Sequence, residues 1–182
     1  NVNGSNLRQV TPNGGDDAGA AWSFDGTRFV YESYVNGQWD VFVINVDGSN
    51  PQRLTNSPDY DGTAAWSPDG TKIAFTSRRS GELGVWVMNA DGSGQTRLST
   101  QPSAENPAWS PDGTRIAYDA DSDDDTWHEI WVMNANGSNP RRLYRPEDEK
   151  TDAWVGSWSP DGRYIAFMYI SWIEYEGQWY WT

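Results

Sequence analysis

The chain has 182 residues, enough for one domain with its own core, and no cysteine, which excludes a disulfide scaffold, a thiolate metal site and a cysteine nucleophile. Its 26 acidic residues against 13 lysines and arginines, with one histidine, give a formal charge of −13 that works against nucleic acid and anionic membrane surfaces and favours a cationic or neutral partner. No apolar run approaches the roughly 20 residues of a membrane span, and the N-terminus shows no basic-then-apolar signal segment, so the chain reads as soluble.

The first residues, NVNGSNLRQVT, match NVDGSNPQRLT at 45–55 and read as the end of one strand, a tight turn and a short polar strand. WSFDG at 22–26 then opens a pattern that returns as WSPDG at 66–70, 109–113 and 158–162; the starts 22, 66, 109 and 158 lie 44, 43 and 49 residues apart. In SPDG the proline pre-sets φ at one turn position and the glycine takes the left-handed one. After each turn comes a strand, TRFVYES, TKIAFTS, TRIAYDA or RYIAFMY, apolar on both faces and therefore covered on both sides. A loop of variable length leads to a second β-branched run, VFVIN from Val41, VWVMN from Val85 and IWVMN from Ile130, which reads as another buried strand. Asp-Gly or Asn-Gly in VDGSN, ADGSG and ANGSN supplies the positive φ of a hairpin, and QRLT, TRLS or RRLY completes the unit.

Four-stranded antiparallel units stacked about an axis, at a period of roughly 40 to 50 residues, describe a β-propeller. The fold class is therefore all-β, a single four-bladed β-propeller domain over 1–182 with blades at about 18–55, 62–99, 106–144 and 154–182. GQWYWT at the C-terminus resembles GQWDVF at 37–42, the start of a third strand, so the chain begins where it stops. Residues 1–11 are expected to complete the fourth blade as a closing strand. A closed monomer is favoured, and an eight-bladed ring of two chains is the alternative.

AWSPDGTKIAFTS followed by VWVMNADGSGQTRLS resembles the repeat of the TolB-type propellers, relatives of the WD-type propellers, over essentially the whole chain. The resemblance implies a propeller, often of six blades, found in periplasmic proteins and as a domain of some peptidases, and so a periplasmic or extracellular setting. Trp66, Ser67, Pro68, Asp69 and Gly70 and their copies match the family motif as scaffold, so no catalytic residue is implied.

The two constant turns share one rim, which leaves the variable loops on the opposite face, where a rigid scaffold usually carries binding residues. That face holds Tyr34, Trp39, Tyr60, Trp127, His128, Trp154, Trp172, Tyr175 and Trp179 as candidate ligand-binding residues, interleaved with Asp16, Asp17, Asp59, Asp61, Glu105, Asp152, Glu174 and Glu176. Aromatic platforms flanked by carboxylates suit sugar rings, peptides or organic cations; the alternative is that these rings fill the mouth of a small propeller. Trp22, Trp66, Trp109 and Trp158, with Trp86 and Trp131, recur in register and read as core.

DADSDDD sets Asp119, Asp121, Asp123 and Asp125 at alternating positions that could meet one calcium ion, or form a solvated acidic loop. It is not an EF-hand loop, because Asp124 and Ile130 stand where glycine and glutamate are required. Arg78 and Arg79 read as a surface pair balancing nearby acids, and residues 146–150 as solvated linker. With one histidine, no GxSxG and no HExxH, no catalytic constellation is recognisable. The expected function is a ligand-binding module, without a required cofactor, for a small molecule, carbohydrate or peptide. The alternatives are a glycoside-cleaving enzyme built on two carboxylates and a structural or engineered repeat with no ligand.

Overall fold

The computed structural model describes residues 5–12, 15–121, 127–146, 151–175 and 178–181, all strands and turns, with no helix long and apolar enough to cross a membrane among them. The first sheet contains β1 (Asp17–Trp22), β2 (Arg28–Val35), β3 (Gln38–Asn45) and β4 (Gln52–Arg53). The second contains β5 (Asp61–Trp66), β6 (Lys72–Ser77), β7 (Gly84–Asn89) and β8 (Thr96–Arg97), and the third β9 (Glu105–Trp109), β10 (Arg115–Asp121), β11 (His128–Asn134) and β12 (Arg141–Tyr144). The fourth contains β13 (Thr151–Trp158), β14 (Ile165–Tyr175) and β15 (Gln178–Trp181). Every sheet is antiparallel with strands in sequence order, and the first strand of each faces a common axis.

The repeated turn is a closed hydrogen-bond network. In the first copy Ser23 Oγ donates to Asp25 Oδ1 at 2.7 Å, the Thr27 N–H donates to the same oxygen at 3.1 Å, and the Arg28 N–H donates to Ser23 Oγ at 3.0 Å. The other copies repeat it around Asp69, Asp112 and Asp161. The glycine of every copy has φ = +69°, as the turn chemistry requires. The second constant turn lies on the same rim: the Val46, Ala90 and Ala135 N–H groups each donate at 2.9 Å to the carbonyl of Thr27, Thr71 or Thr114 in the first.

Neighbouring sheets bury one apolar face each. Val30, Val41, Val43 and Leu54 of the first sheet meet Ala64, Trp66, Ile73, Phe75 and Met88 of the second. Ala74 and Val85 of the second meet Ala104, Ile116, Tyr118, Ala120 and Met133 of the third. Each large side chain so buried contributes roughly 1.5–3 kcal/mol relative to exposure. The expectation of strands covered on both faces holds best at β6, where residues 73–77 are all buried; β14 instead exposes Phe167, Met168 and Tyr169.

A second device joins the sheets. Each inner strand carries a bulge, at 18–21 in β1, 62–65 in β5, opposite 117–119 in β9 and at 155–157 in β13. Three of the bulge N–H groups are turned out of their own ladder and accepted by the preceding sheet: Thr63 by Glu32 Oε2 at 3.1 Å, Asn106 by Thr76 Oγ1 at 3.2 Å and Val155 by Asp119 Oδ1 at 3.0 Å. The acceptors occupy one equivalent position of β2, β6 and β10, three residues after Phe29, Ile73 and Ile116.

The described residues 5–12 form no strand, and their contacts are with the first sheet. Among the described residues the fourth sheet has three strands. Arg8 Nη2 donates to the Val46 carbonyl at 2.7 Å, and the Val10 carbonyl lies 3.1 Å from where a Cβ on Gly48 would stand. The Leu54 and Leu98 carbonyls approach Gly92 and Gly137 at 3.0 Å in the same way. The segment therefore fills the place, beside the first sheet, that β4 and β8 fill beside the sheets that follow them.

Two predictions follow from the turns. Gly70→Ala, with φ = +69° and open space around the new Cβ, should cost about 1–2 kcal/mol from backbone strain alone. Gly137→Ala, at φ = +83° and 3.0 Å from the Leu98 carbonyl oxygen, should lower the urea midpoint further; equal midpoints would contradict this packing. The hydroxyl and N–H donors of the turns also hold Asp25 and Asp112 down to about 2 from the ordinary 3.8. A depressed folded-state value contributes stability above the unfolded value that is lost as pH falls through the folded one. Melting temperatures of the wild type should therefore drop between about pH 4 and 2 more steeply than those of the Asp25→Asn, Asp112→Asn double variant.

Candidate functional site

The inner strands of all four sheets line a central channel of about 960 Å³. Small residues of these strands keep it open, and Trp22, Trp66, Trp109 and Trp158 wall its turn end. These tryptophans join sheets: Arg28 covers Trp66 and Arg115 covers Trp158, each at 4.6 Å, and Trp158 Nε1 donates to the Ala108 carbonyl at 3.0 Å. Trp66 is buried and Trp86 and Trp131 pack on the two core clusters, as expected. The expectation of core fails at Trp22, which is 57 % exposed.

At their loop ends the third and fourth sheets meet around the only histidine. His128, first residue of β11, faces Asp119 Oδ2 at 3.5 Å and Glu105 Oε1 at 3.8 Å through Nδ1, and Asp121 Oδ1 at 3.2 Å through Nε2. Trp154 Nε1 donates to His128 Nδ1 at 3.1 Å, and the His128 N–H donates to Asp152 Oδ1 at 3.2 Å. The strand pairing explains the assembly. Asp119 and Asp121 are two apart on β10 and share a face, Glu105 is the register partner of Asp119, and His128 that of Asp121.

Asp119 is fully buried, with Oδ1 on the Val155 N–H and Oδ2 accepting from Asn106 Nδ2 at 3.1 Å. Burial raises its carboxyl above the ordinary range against the pull of these donors. Glu105 is raised by burial and by the Asp119 charge. For His128, burial disfavours the cation, but the hydrogen bond and charge of Asp119 and the charges of Asp121 and Glu105 outweigh it and raise the ring above its ordinary 6.5. Next to this group, Tyr60 donates to Glu32 Oε2 at 2.9 Å, and burial with the Glu32 charge holds its hydroxyl protonated well above the usual range.

Of the aromatic candidates, the structure brings His128 and Trp154 together, with Trp127 half-buried one residue before the ring. Tyr60 lies at the joint between the first and second sheets, bonded to Glu32. Tyr34 and Trp39 stack on each other at the β2–β3 hairpin, ring centres 5.5 Å apart, and make a separate feature. Trp172, Tyr175 and Trp179 lie on the β14–β15 hairpin, where Trp172 pairs with Trp181 and Trp179 with Glu174. Asp123 and Asp125 lie outside the described residues, as do Glu176 and residues 147–150; Asp119 and Asp121 belong to β10. Arg79 is no free surface cation, because it pairs with buried Asp61 at 2.8 Å. The sequence reading missed Asn106 and the gathering of Glu105, Asp119 and His128. A signal existed, a polar residue at one repeated position of three strands, at Glu32, Thr76 and Asp119, after an apolar stretch in each.

A family model described as TolB beta propeller domain matches residues 1–106, more than half of the chain. The chain belongs to the TolB beta propeller domain family. No curated protein matches it. Among solved structures, this TolB-type propeller is similar to the putative TolB of Agrobacterium tumefaciens, with a TM-score of 0.66 and 25% identity over 81% of this chain and 56% of that one. It is also similar to TolB of Acinetobacter baumannii, with a TM-score of 0.67 and 19% identity over 90% of this chain and 39% of that one. The β-propeller domain of the Trilobed protease from Pyrococcus furiosus, described as having an open velcro topology, aligns with a TM-score of 0.57 and 12% identity over 93% of this chain and 57% of that one. The chain thus spans 56% and 39% of the two TolB chains, and its four sheets are propeller blades.

The Trp154 contact requires an unprotonated Nδ1, so the neutral ring carries its proton on Nε2, toward Asp121. Nitrogen-detected spectra of this single histidine should show the Nε2–H tautomer at high pH and a titration midpoint above 6.5. A raised folded value contributes stability that is complete below the unfolded value and disappears as pH rises through the folded one. Asp121→Asn should lower the midpoint; an unmoved midpoint would contradict the contact.

Proposed function

We propose that this TolB-type propeller is a binding module for a protein or peptide, and that it takes a cationic group of its ligand at the loop end of the joint between the third and fourth blades. The observation that carries the reading is the gathering of Glu105, Asp119 and Asp121 with Trp154 around His128 at the loop end of the third and fourth blades. Carboxylates held partly out of water beside an indole form the pairing that receives an ammonium or guanidinium group. The turn rim supports the same polarity of use, because its Asp and Ser groups are already engaged with one another. The reading is non-enzymatic, and family membership supports a periplasmic setting.

The test is calorimetric titration, in chelator-treated buffer, with short Arg- and Lys-containing peptides and Glu-containing peptides of equal length as controls. Basic peptides should bind and acidic ones should not. Glu105→Gln with Asp121→Asn should weaken binding about tenfold or more, equivalent to about 1.4 kcal/mol. Equal binding of basic and acidic peptides, or an unchanged affinity in the double variant, would sink the proposal.

A further inference from the structure

One imidazole nitrogen and two carboxylate oxygens converge at the third blade. His128 Nδ1, Asp119 Oδ2 and Glu105 Oε1, drawn from β11, β10 and β9, lie within 4.8 Å of one another, and Asp119 is buried. Facing acceptors repel unless something electropositive stands between them. The Trp154 N–H serves only Nδ1, and Asn106 serves Asp119 Oδ2. We propose that Glu105, Asp119 and His128 form a site for a divalent transition-metal ion of the zinc class.

The donor set selects the ion. One imidazole nitrogen and two carboxylate oxygens suit zinc, whereas calcium takes oxygen ligands alone. The spacing is close to what zinc needs. Bonds of about 2.0–2.2 Å in a tetrahedron set ligand atoms about 3.3 Å apart. Nδ1 stands 3.5 Å from Asp119 Oδ2 and 3.8 Å from Glu105 Oε1, so contraction by a few tenths of an ångström seats the ion.

The supports of a metal site are also in place. Asp121 at Nε2 fixes the tautomer that presents Nδ1, the carboxylate–histidine arrangement that orients metal ligands. Asp119 is fixed by the Val155 N–H on its other oxygen, so the ligand is held by the joint between blades. Three protein ligands leave a fourth position for water or a ligand atom. The ion displaces the Trp154 N–H from Nδ1, which makes that indole a competitor of the metal. Asp119 and Asp121 alternate along the acidic run in which calcium is expected, but here Asp121 stands behind the histidine and the third ligand comes from β9.

The test uses chelator-treated protein at a single pH near neutrality. Cobalt(II) should bind with a visible ligand-field spectrum, zinc should abolish that spectrum stoichiometrically, and excess calcium should leave it intact. Glu105→Gln and His128→Gln should each weaken zinc binding tenfold or more, and Trp154→Phe should strengthen it severalfold by removing the competing N–H. Circular dichroism confirms the fold of each variant, and Glu105, part exposed and outside the inter-blade hydrogen bonds, keeps the test open if His128→Gln does not fold. Absence of a cobalt spectrum, displacement by calcium, or an affinity unchanged in the Glu105 variant would each overturn the site. Peptide binding is read without metal, so it stands or falls separately.

Discussion

The bulge N–H that three inner strands donate to the preceding sheet is the constraint around which the rest is arranged. A buried backbone donor left without an acceptor costs about 1–3 kcal/mol, so a strand that bulges toward its neighbour must find an acceptor there. Glu32, Thr76 and Asp119 supply it, and each fixes the height of the next blade on its own. Apolar packing brings the blades together without choosing a register along the strands; a single directed bond removes that freedom. The axis, the channel and the alignment of the loop ends at one mouth depend on this choice.

The architecture was legible in the sequence because it is periodic. Four copies of one turn, with Gly26, Gly70, Gly113 and Gly162 at the same positive φ, announce the unit, and the β-branched runs announce its buried strands. The bulges were not legible, since no residue type demands them: Gly19, Thr63, Asn106 and Val155 share no chemistry. The fate of residues 5–12 was half legible. Their likeness to an outer strand was visible and is realised in how Val10 meets Gly48, but which blade they would lie against depends on packing between blades, which periodicity does not encode.

The candidate site shows the same division. His128 and Trp154 were singled out as residues of the variable face and do touch. Their gathering with Glu105 and Asp119 depends on register, the pairing of β9 with β10 and of β10 with β11, and on the tilt of the next blade that brings Trp154 over the ring. The acidic run read as one loop is divided by the end of β10, so that Asp119 and Asp121 became strand residues. Alternation along the chain puts Asp119 and Asp121 on one face of β10, and their partners come from other strands.

The inter-blade bond also has a direction. Each blade holds its successor from its second strand, and the equivalent position in β14 is Met168, 54 % exposed, whose thioether is at best a weak acceptor. The four copies are therefore not interchangeable parts. Shuffling the gene segments so that the Met168 copy stood ahead of another would strand a bulge N–H at the new junction, whereas the first three could trade places with their acceptors intact. Duplication of this unit can lengthen the array only from copies that kept a polar residue there, so one side chain per repeat records which copies remain able to breed more of the structure.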